Sequence, residues 1–482
     1  METDITSQVW KYFEEICRIP RPSKKEEKIC DYIRTFADLH GLPCKQDQIG
    51  NILITKPASP GLENKPTVIL QSHVDMVCEK EINVSHDFDT DPIDFYVEDG
   101  WMKARGTTLG ADDGIGVAAT LAILADKKIS HGPIEALFTV DEETGMTGAL
   151  EMQEGFLSGS ILINLDSETE GELLIGCSGG INTLATFRYQ QKETPEDCIA
   201  YRIEISGMRG GHSGEDINKR RGNAVKILNH FLLDCSGMFG ASIYKFEGGK
   251  QSNTIPREAF AEIFVDTNFC EKFEQYYIEE ALLWKETLKS SSPNFSFTLE
   301  RLDTPPSHIM DIVSQSCLLN SLSLCPSGVV AMCDNMPGMV STSTNIASVK
   351  FIDDNQILIT TSQRSDKEET KQSLNKRIRR IFAMMDAGVI SSEVYPGWTP
   401  NLQSPILKLT QKAYSNLFNA EPTVKTTHSG LECGLFLEKY PNLDMISFGP
   451  TIKGIHTPSE KIHIPSVERF MGLLVRILSD IE

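Results

Sequence analysis

Short apolar runs in this chain repeatedly end on an acid or a histidine. Leu70-Gln-Ser-His73-Val-Asp75, Val140-Asp141-Glu142-Glu143 and Leu165-Asp166 share this form. Gly110-Ala-Asp112-Asp113-Gly114 adds two acids where a helix opens. A carboxylate at the end of a buried strand is costly, because burial disfavours its charge. Several aimed at one place are tolerable if cations sit among them. The pattern therefore asks for neighbouring strands whose carboxyl ends gather in space.

Residues 67–71, 134–140 and 160–165 are short apolar runs that suit buried strands of a largely parallel sheet. Residues 114–127 read as a helix between the first two. Ser23 with Glu26 has capping-box spacing, and Gly41 closes the helix that follows. In open α/β sheets ligands gather at the carboxyl ends of strands. His73, Asp141 to Glu143 and Asp166 all fall just past such ends.

With 482 residues the chain is too long for one ordinary core, and two domains are expected. From about 190 to 395 the order helix, two strands, helix, strand occurs twice. The first pass covers 219–235, 242–247, 258–265, 273–289 and 295–301. The second covers 309–322, 342–352, 356–362, 367–387 and 389–395. A helix near 404–418 then returns the chain to α/β character. The expected architecture is an α/β catalytic domain, its mostly parallel central sheet flanked by helices, in two parts (1–187 and 398–482). Between them lies an inserted two-lobed α+β lid (188–397).

The net charge of −21 argues against a nucleic-acid partner. No apolar run approaches the roughly 20 residues that span a bilayer, so no membrane partner is expected. Met1-Glu-Thr-Asp-Ile-Thr lacks the basic and apolar regions of a signal peptide. The 12 cysteines form no C-x-x-C pair, which disfavours a thiolate zinc site and suits a reducing cytoplasm.

Each motif has a plainer reading when taken alone. His73 and Asp75 could be a polar pair at a strand end. Asp112 and Asp113 could cap a helix. Glu142 and Glu143 could form a solvated turn, Asp166 a turn, and His456 a structural histidine. Together they balance. Two divalent cations bring four positive charges; Asp112, Glu143, Asp166 and a hydroxide bring four negative ones, with His73 and His456 neutral. Nitrogen and oxygen ligands suit zinc, with cobalt or manganese as alternatives.

The series His-x-Asp, Gly-x-Asp-Asp, Glu-Glu-x-Gly, Asp and a late histidine resembles the co-catalytic metallopeptidases, the family that includes aminoacylase and carboxypeptidase G. Its Xaa-His dipeptidase branch is most similar, through runs such as His428-Ser-Gly-Leu-Glu432 and Gly454-Ile-His-Thr-Pro458. The resemblance implies two metal ions held by His73, Asp112, Glu143, Asp166 and His456. Asp112 would bridge the ions and precede a cis peptide. Asp75 would orient His73, and Glu142 would be the general base. From the lid it implies an oxyanion-stabilising His212, with Asn253 and Arg364 binding substrate; outside the lid, Glu432 is a further substrate-binding candidate. Asn218 and Arg221 are read as surface-helix residues. The implied reaction is hydrolysis of a dipeptide of Xaa-His type. A broader di- or tripeptidase, an N-acyl amino acid deacylase and a catalytically dead peptide- or metal-binding homologue are the alternatives. The resemblance leaves the chain open to pairing as a homodimer.

Overall fold

The computed structural model describes residues 2–303, 307–352 and 355–481. The chain divides into two compact units. Unit 1 comprises 1–177, 398–426 and 431–482, and unit 2 comprises 178–397 and 427–430.

Unit 1 is built on an eight-stranded sheet. Its order is Cys44–Gln46, Ile52–Lys56, Ile134–Thr139, Val68–His73, Ile161–Asn164, Asp444–Ser447, Glu172–Cys177 and Thr423–Thr427. The four central strands run parallel, from Ile134–Thr139 to Asp444–Ser447. The strand pairs Cys44–Gln46 with Ile52–Lys56, Ile52–Lys56 with Ile134–Thr139, and Asp444–Ser447 with Glu172–Cys177 are antiparallel. Every residue of Val68–His73 and of Ile134–Thr139 is buried, as expected of strands covered on both faces. The helix Ala111–Ala125 is buried almost throughout. It packs on Val68–His73 and on the helix Glu2–Cys17. An apolar helix without a polar face belongs inside a protein, and Ala-rich ADDGIGVAATLAILA meets that demand.

The helix Glu27–His40 buries Ile29, Ile33, Phe36 and Ala37 and ends at Gly41, whose φ is 65°. Its start differs from expectation. Ser23 Oγ donates to Asp75, and Glu26 accepts from the N–H groups of Lys24 and Asp141. The capping-box residues are thus engaged by the strand-end loops.

Unit 2 carries a nine-stranded sheet. Eight strands follow in the order Ser296–Leu302, Cys198–Ser206, Ala259–Asp266, Ser242–Gly248, Val340–Ile352, Gln356–Ser365, Gly179–Arg188 and Gly388–Tyr395, with Gly328–Met332 beside Val340–Ile352. The two sequence passes form mirrored halves of this one sheet, each with two helices. They meet where Ser242–Gly248 pairs with Val340–Ile352. Each half has one strand beyond the expected order: Cys198–Ser206 in the first and Gly179–Arg188 in the second. The first half is therefore inserted between the opening strand of the second and the rest of it.

Among the described residues no helix is long and apolar enough to cross a membrane. All 12 cysteines are free.

Candidate metal centre

The parallel strands of unit 1 deliver their ends side by side. His73 is the last residue of its strand, and the Val74 N–H reaches Thr139 O at 2.9 Å. The neighbouring strand stops at Thr139, and the chain reverses through Asp141, whose φ is 52°. Glu142 and Glu143 then lie on a one-turn helix, Glu142–Gly145. Successive residues of a helix are about 100° apart, yet one oxygen of each carboxylate comes within 4.8 Å of the other and of a His73 nitrogen. Asp166 follows the strand Ile161–Asn164. Asp112 stands at the mouth of its helix with non-helical dihedrals, and the Asp112–Asp113 peptide is cis. His456 lies on a loop and takes a φ of 58°.

These side chains converge. His73 Nε2 lies 3.1 Å from Asp112 Oδ1 and 3.4 Å from Asp166 Oδ1. His456 Nε2 lies 3.2 Å from Asp112 Oδ2 and 3.0 Å from Glu143 Oε2. The two oxygens of Asp112 thus face two different imidazoles. His73, Asp112 and Asp166 make one group able to hold a metal ion, and Asp112, Glu143 and His456 make another. Glu142 and Glu143 also group with His73.

The electrostatics ask for positive charge. Burial works against protonation of His456, yet its hydrogen bonds to Asp112 and Glu143 hold the pKa up at about 11. Burial lifts Asp166 to about 7, against the pull of His73. Burial also holds the Glu142 carboxyl well above the usual range; His73 opposes this, and Asp166 and Glu143 add to it. Glu143 Oε1 is buried without a hydrogen-bond partner. Crowded carboxylates, neutralisable imidazoles and an orphaned acceptor together fit divalent cations.

Asp75 ties the two halves of this arrangement. Its Oδ1 lies 3.4 Å from His73 Nδ1, and its oxygens accept the N–H groups of Glu142 (3.0 Å) and Glu143 (3.1 Å). A carboxylate on the second nitrogen of an imidazole fixes ring and tautomer. Glu432 lies near enough to His73, Asp166 and Asp75 to feel their charges. It is 1 % exposed, and its Oε2 accepts from Gln71 at 2.6 Å and Thr139 at 2.8 Å. Burial pushes its pKa up to about 8.

Unit 2 brings its own candidates together. His212 pairs with Thr254 across a short ladder, and the Ser213 N–H donates to Asn253 O at 2.7 Å. Arg364 is 7 % exposed near the end of its strand and donates from Nη1 to Tyr395 Oη at 2.9 Å. Asn218 and Arg221 precede the helix Ala224–Phe239 and lie on a loop, contrary to the expected surface helix. There Arg221 pairs with Asp216 at 2.9 Å and donates to Gly210 O. His428 was not singled out by sequence. Its two ring nitrogens meet Ser178 Oγ (2.6 Å) and Ser343 Oγ (2.7 Å). Burial, then the charges of Arg364 and His212, lower its pKa to about 3. Its place in the quoted family run was the available signal.

Acids and imidazoles gathered at the ends of parallel strands define a metal-dependent hydrolase. The chain belongs to Peptidase family M20/M25/M40, whose model matches residues 69–480. It is 39% identical over 473 residues to the cytosol non-specific dipeptidase of Escherichia coli (strain K12), covering 98% of this chain and 97% of that protein. The crystal structure of an aminoacylhistidine dipeptidase from Vibrio alginolyticus superposes with a TM-score of 0.88 at 39% identity, covering 99% of this chain and 97% of that one. An aminopeptidase from Bacillus cereus ATCC 10987 shares the fold with a TM-score of 0.59 at 17% identity, over 99% of this chain and 98% of that one.

Proposed function

We propose that the protein is a dipeptidase that uses two divalent cations, zinc first among them, and acts in the cytoplasm. One observation carries the reading: the oxygens of Asp112 face His73 and His456 separately, which is how a carboxylate bridges two ions. His73 and Asp166 would hold one ion, Glu143 and His456 the other. When bound, the ions supply Lewis-acid polarisation of the scissile carbonyl and a lowered pKa for the attacking water.

Glu142 takes the proton of that water and returns it to the leaving amine. Burial raises its pKa, which suits the acid half of this cycle, and neighbouring cations would favour the ionised form that the base half needs. Asp75 orients His73 and fixes the turn that carries Glu142. Glu432 supports the strand ends from below through Gln71 and Thr139. The remaining assignments rest on the family resemblance. His212 would stabilise the oxyanion, Asn253 would bind the substrate, and Arg364 would pair with its terminal carboxylate. Residues 188–397 would form the lid.

The two relatives at 39% identity bear different names, one a non-specific dipeptidase and the other an aminoacylhistidine dipeptidase. We favour dipeptides including Xaa-His, with broad specificity as the second reading. A dipeptide panel on chelator-stripped protein reloaded with zinc, cobalt or manganese tests both. Cleavage confined to Xaa-His substrates supports the narrow reading, and comparable rates across the panel support the broad one. No cleavage of any dipeptide with any metal overturns the assignment.

A further inference from the structure

Two buried, oppositely charged residues of unit 1 have no part in the chemistry above, and both grip the segment that carries Asp112. Glu460 is 3 % exposed, four residues after His456. Its Oε2 accepts the N–H groups of Leu109 (2.8 Å) and Gly110 (3.0 Å), and its Oε1 those of Ala111 (2.7 Å) and Asp112 (3.3 Å). Four N–H donors on two oxygens are a pattern that an acceptor-only carboxylate fills. Ala111 and Asp112 open a helix, where backbone N–H groups have no partner within the helix.

Arg21 is 2 % exposed and takes the other side of the same segment. Its Nη2 donates to Gly110 O at 2.5 Å. Its Nη1 donates to Val74 O at 2.9 Å and to Asp75 O at 2.8 Å. Gly110 is therefore held by its N–H from Glu460 and by its C=O from Arg21. A Cβ on Gly110 would lie 2.5 Å from Arg21 Nη2, and its φ is 70°. The position admits no larger residue while this clamp is closed.

The connections are specific. Glu460 joins the loop of His456 to the backbone of Asp112, residues whose side chains lie 3.2 Å apart. Arg21 joins the loop of His73 and Asp75 to the same backbone. The spacing between candidate ligands is thus set by charged groups that bind only main chain.

We propose that Glu460 and Arg21 are positioning residues that hold Asp112, His456 and His73 at the separations two cations require. The proposal rests on the metal-ligand reading given above. It carries an asymmetry. Loss of Glu460 loosens two members of the Asp112, Glu143 and His456 group, but one member of the His73, Asp112 and Asp166 group. The two ions should therefore respond unequally.

The test is zinc binding to the full chain by equilibrium dialysis against a competing chelator, with thermal unfolding of the metal-free protein recorded beside it. Glu460→Gln keeps the shape and turns one acceptor into a donor. We expect one of two ions to bind about 10–100-fold more weakly, the range for groups that orient ligands, and the other to change far less. Arg21→Lys keeps the charge but loses the planar fork, and it should weaken both ions. It is the second probe if Glu460→Gln does not fold. A merely structural cap would lower the melting temperature of metal-free Glu460→Gln and leave both zinc affinities as in the parent. That result, or unchanged affinities in Arg21→Lys, overturns the clamp while the metal-ligand reading stands. A parent chain that takes up no zinc overturns both.

Discussion

Both units bury hydroxyls and amides, but the buried acids are concentrated in unit 1. Unit 1 encloses acids: Glu26, Asp75, Asp112, Asp113, Asp141, Glu432 and Glu460 are all buried. Unit 2 encloses mainly hydroxyls and amides, with Ser341 to Asn345 on one strand facing Thr361 to Ser365 on the next. Hydroxyls and amides both donate and accept, so a sheet can satisfy them internally; Thr183, Gln363 and Asn375 do so. Ionised carboxylates only accept. Once the nearby N–H groups are used, the remaining demand is for cations. Unit 2 meets much of its polar demand internally, although Thr344 Oγ1 and Arg364 Nε are buried there without a hydrogen-bond partner, whereas the clustered acids of unit 1 ask for cations.

Chelation is the sharpest way to break that comparison. Removing metal should abolish dipeptide hydrolysis. It should also lower the unfolding temperature of unit 1, since ions bound at 100 times their Kd contribute about 2.7 kcal/mol. Unit 2 should unfold where it did before. Calorimetry with and without chelator reads both, and equal shifts of both units would refute the contrast. Next in size is Glu142→Gln, expected to cost about 10²–10⁴-fold in kcat with full metal content by elemental analysis. A variant as active as the parent removes Glu142 as base.

In unit 2, Arg364→Lys should lower kcat/KM for free dipeptides about 10–100-fold, as charged hydrogen bonds worth about 1.5–3 kcal/mol imply. It should matter much less for C-amidated dipeptides, whereas His212→Ala should slow both alike. Equal losses on both substrate types in the Arg364 variant would take it out of the carboxylate role.

The smallest effect concerns His428, whose pKa is lowered to about 3 by burial first and then by Arg364 and His212. The unfolded chain binds this proton near pH 6.5 and the folded chain does not, so stability is full above 6.5 and falls as pH drops toward 3. The slope is at most about 1.4 kcal/mol per pH unit. His428→Asn should flatten it in acid melts of unit 2, and an unchanged slope would show that His428 is not the group responsible.

The sequence made the acidic strand ends legible because each sits beside an apolar run, and that contrast is what periodicity detects. The helices and paired strands of unit 2 were legible for the same reason. Gly179–Arg188 was not: Asn182 and Thr183 are buried in it, so polar residues occupy inward positions and the alternation is blurred. Ser23 and Glu26 were misread as a local cap because their partners, Asp75 and Asp141, are distant in sequence. Arg21 and Glu460 left almost no trace. Their partners are backbone groups, which every residue has, so no residue type marks the pairing. His456 followed by Glu460 was the only hint, and spacing alone does not separate it from an ordinary loop acid.

The strand Asp444–Ser447 lies between Ile161–Asn164 and Glu172–Cys177, strands made almost three hundred residues earlier. During synthesis the earlier strands must therefore wait, with a gap in their sheet, until Asp444–Ser447 leaves the ribosome. His456 and Glu460 arrive later still. Until then the nascent chain carries an acidic cluster without its last imidazole and without the carboxylate that fixes Asp112. A chain stalled before residue 456 would lack the completed donor set, so hydrolysis would await His456 and Glu460.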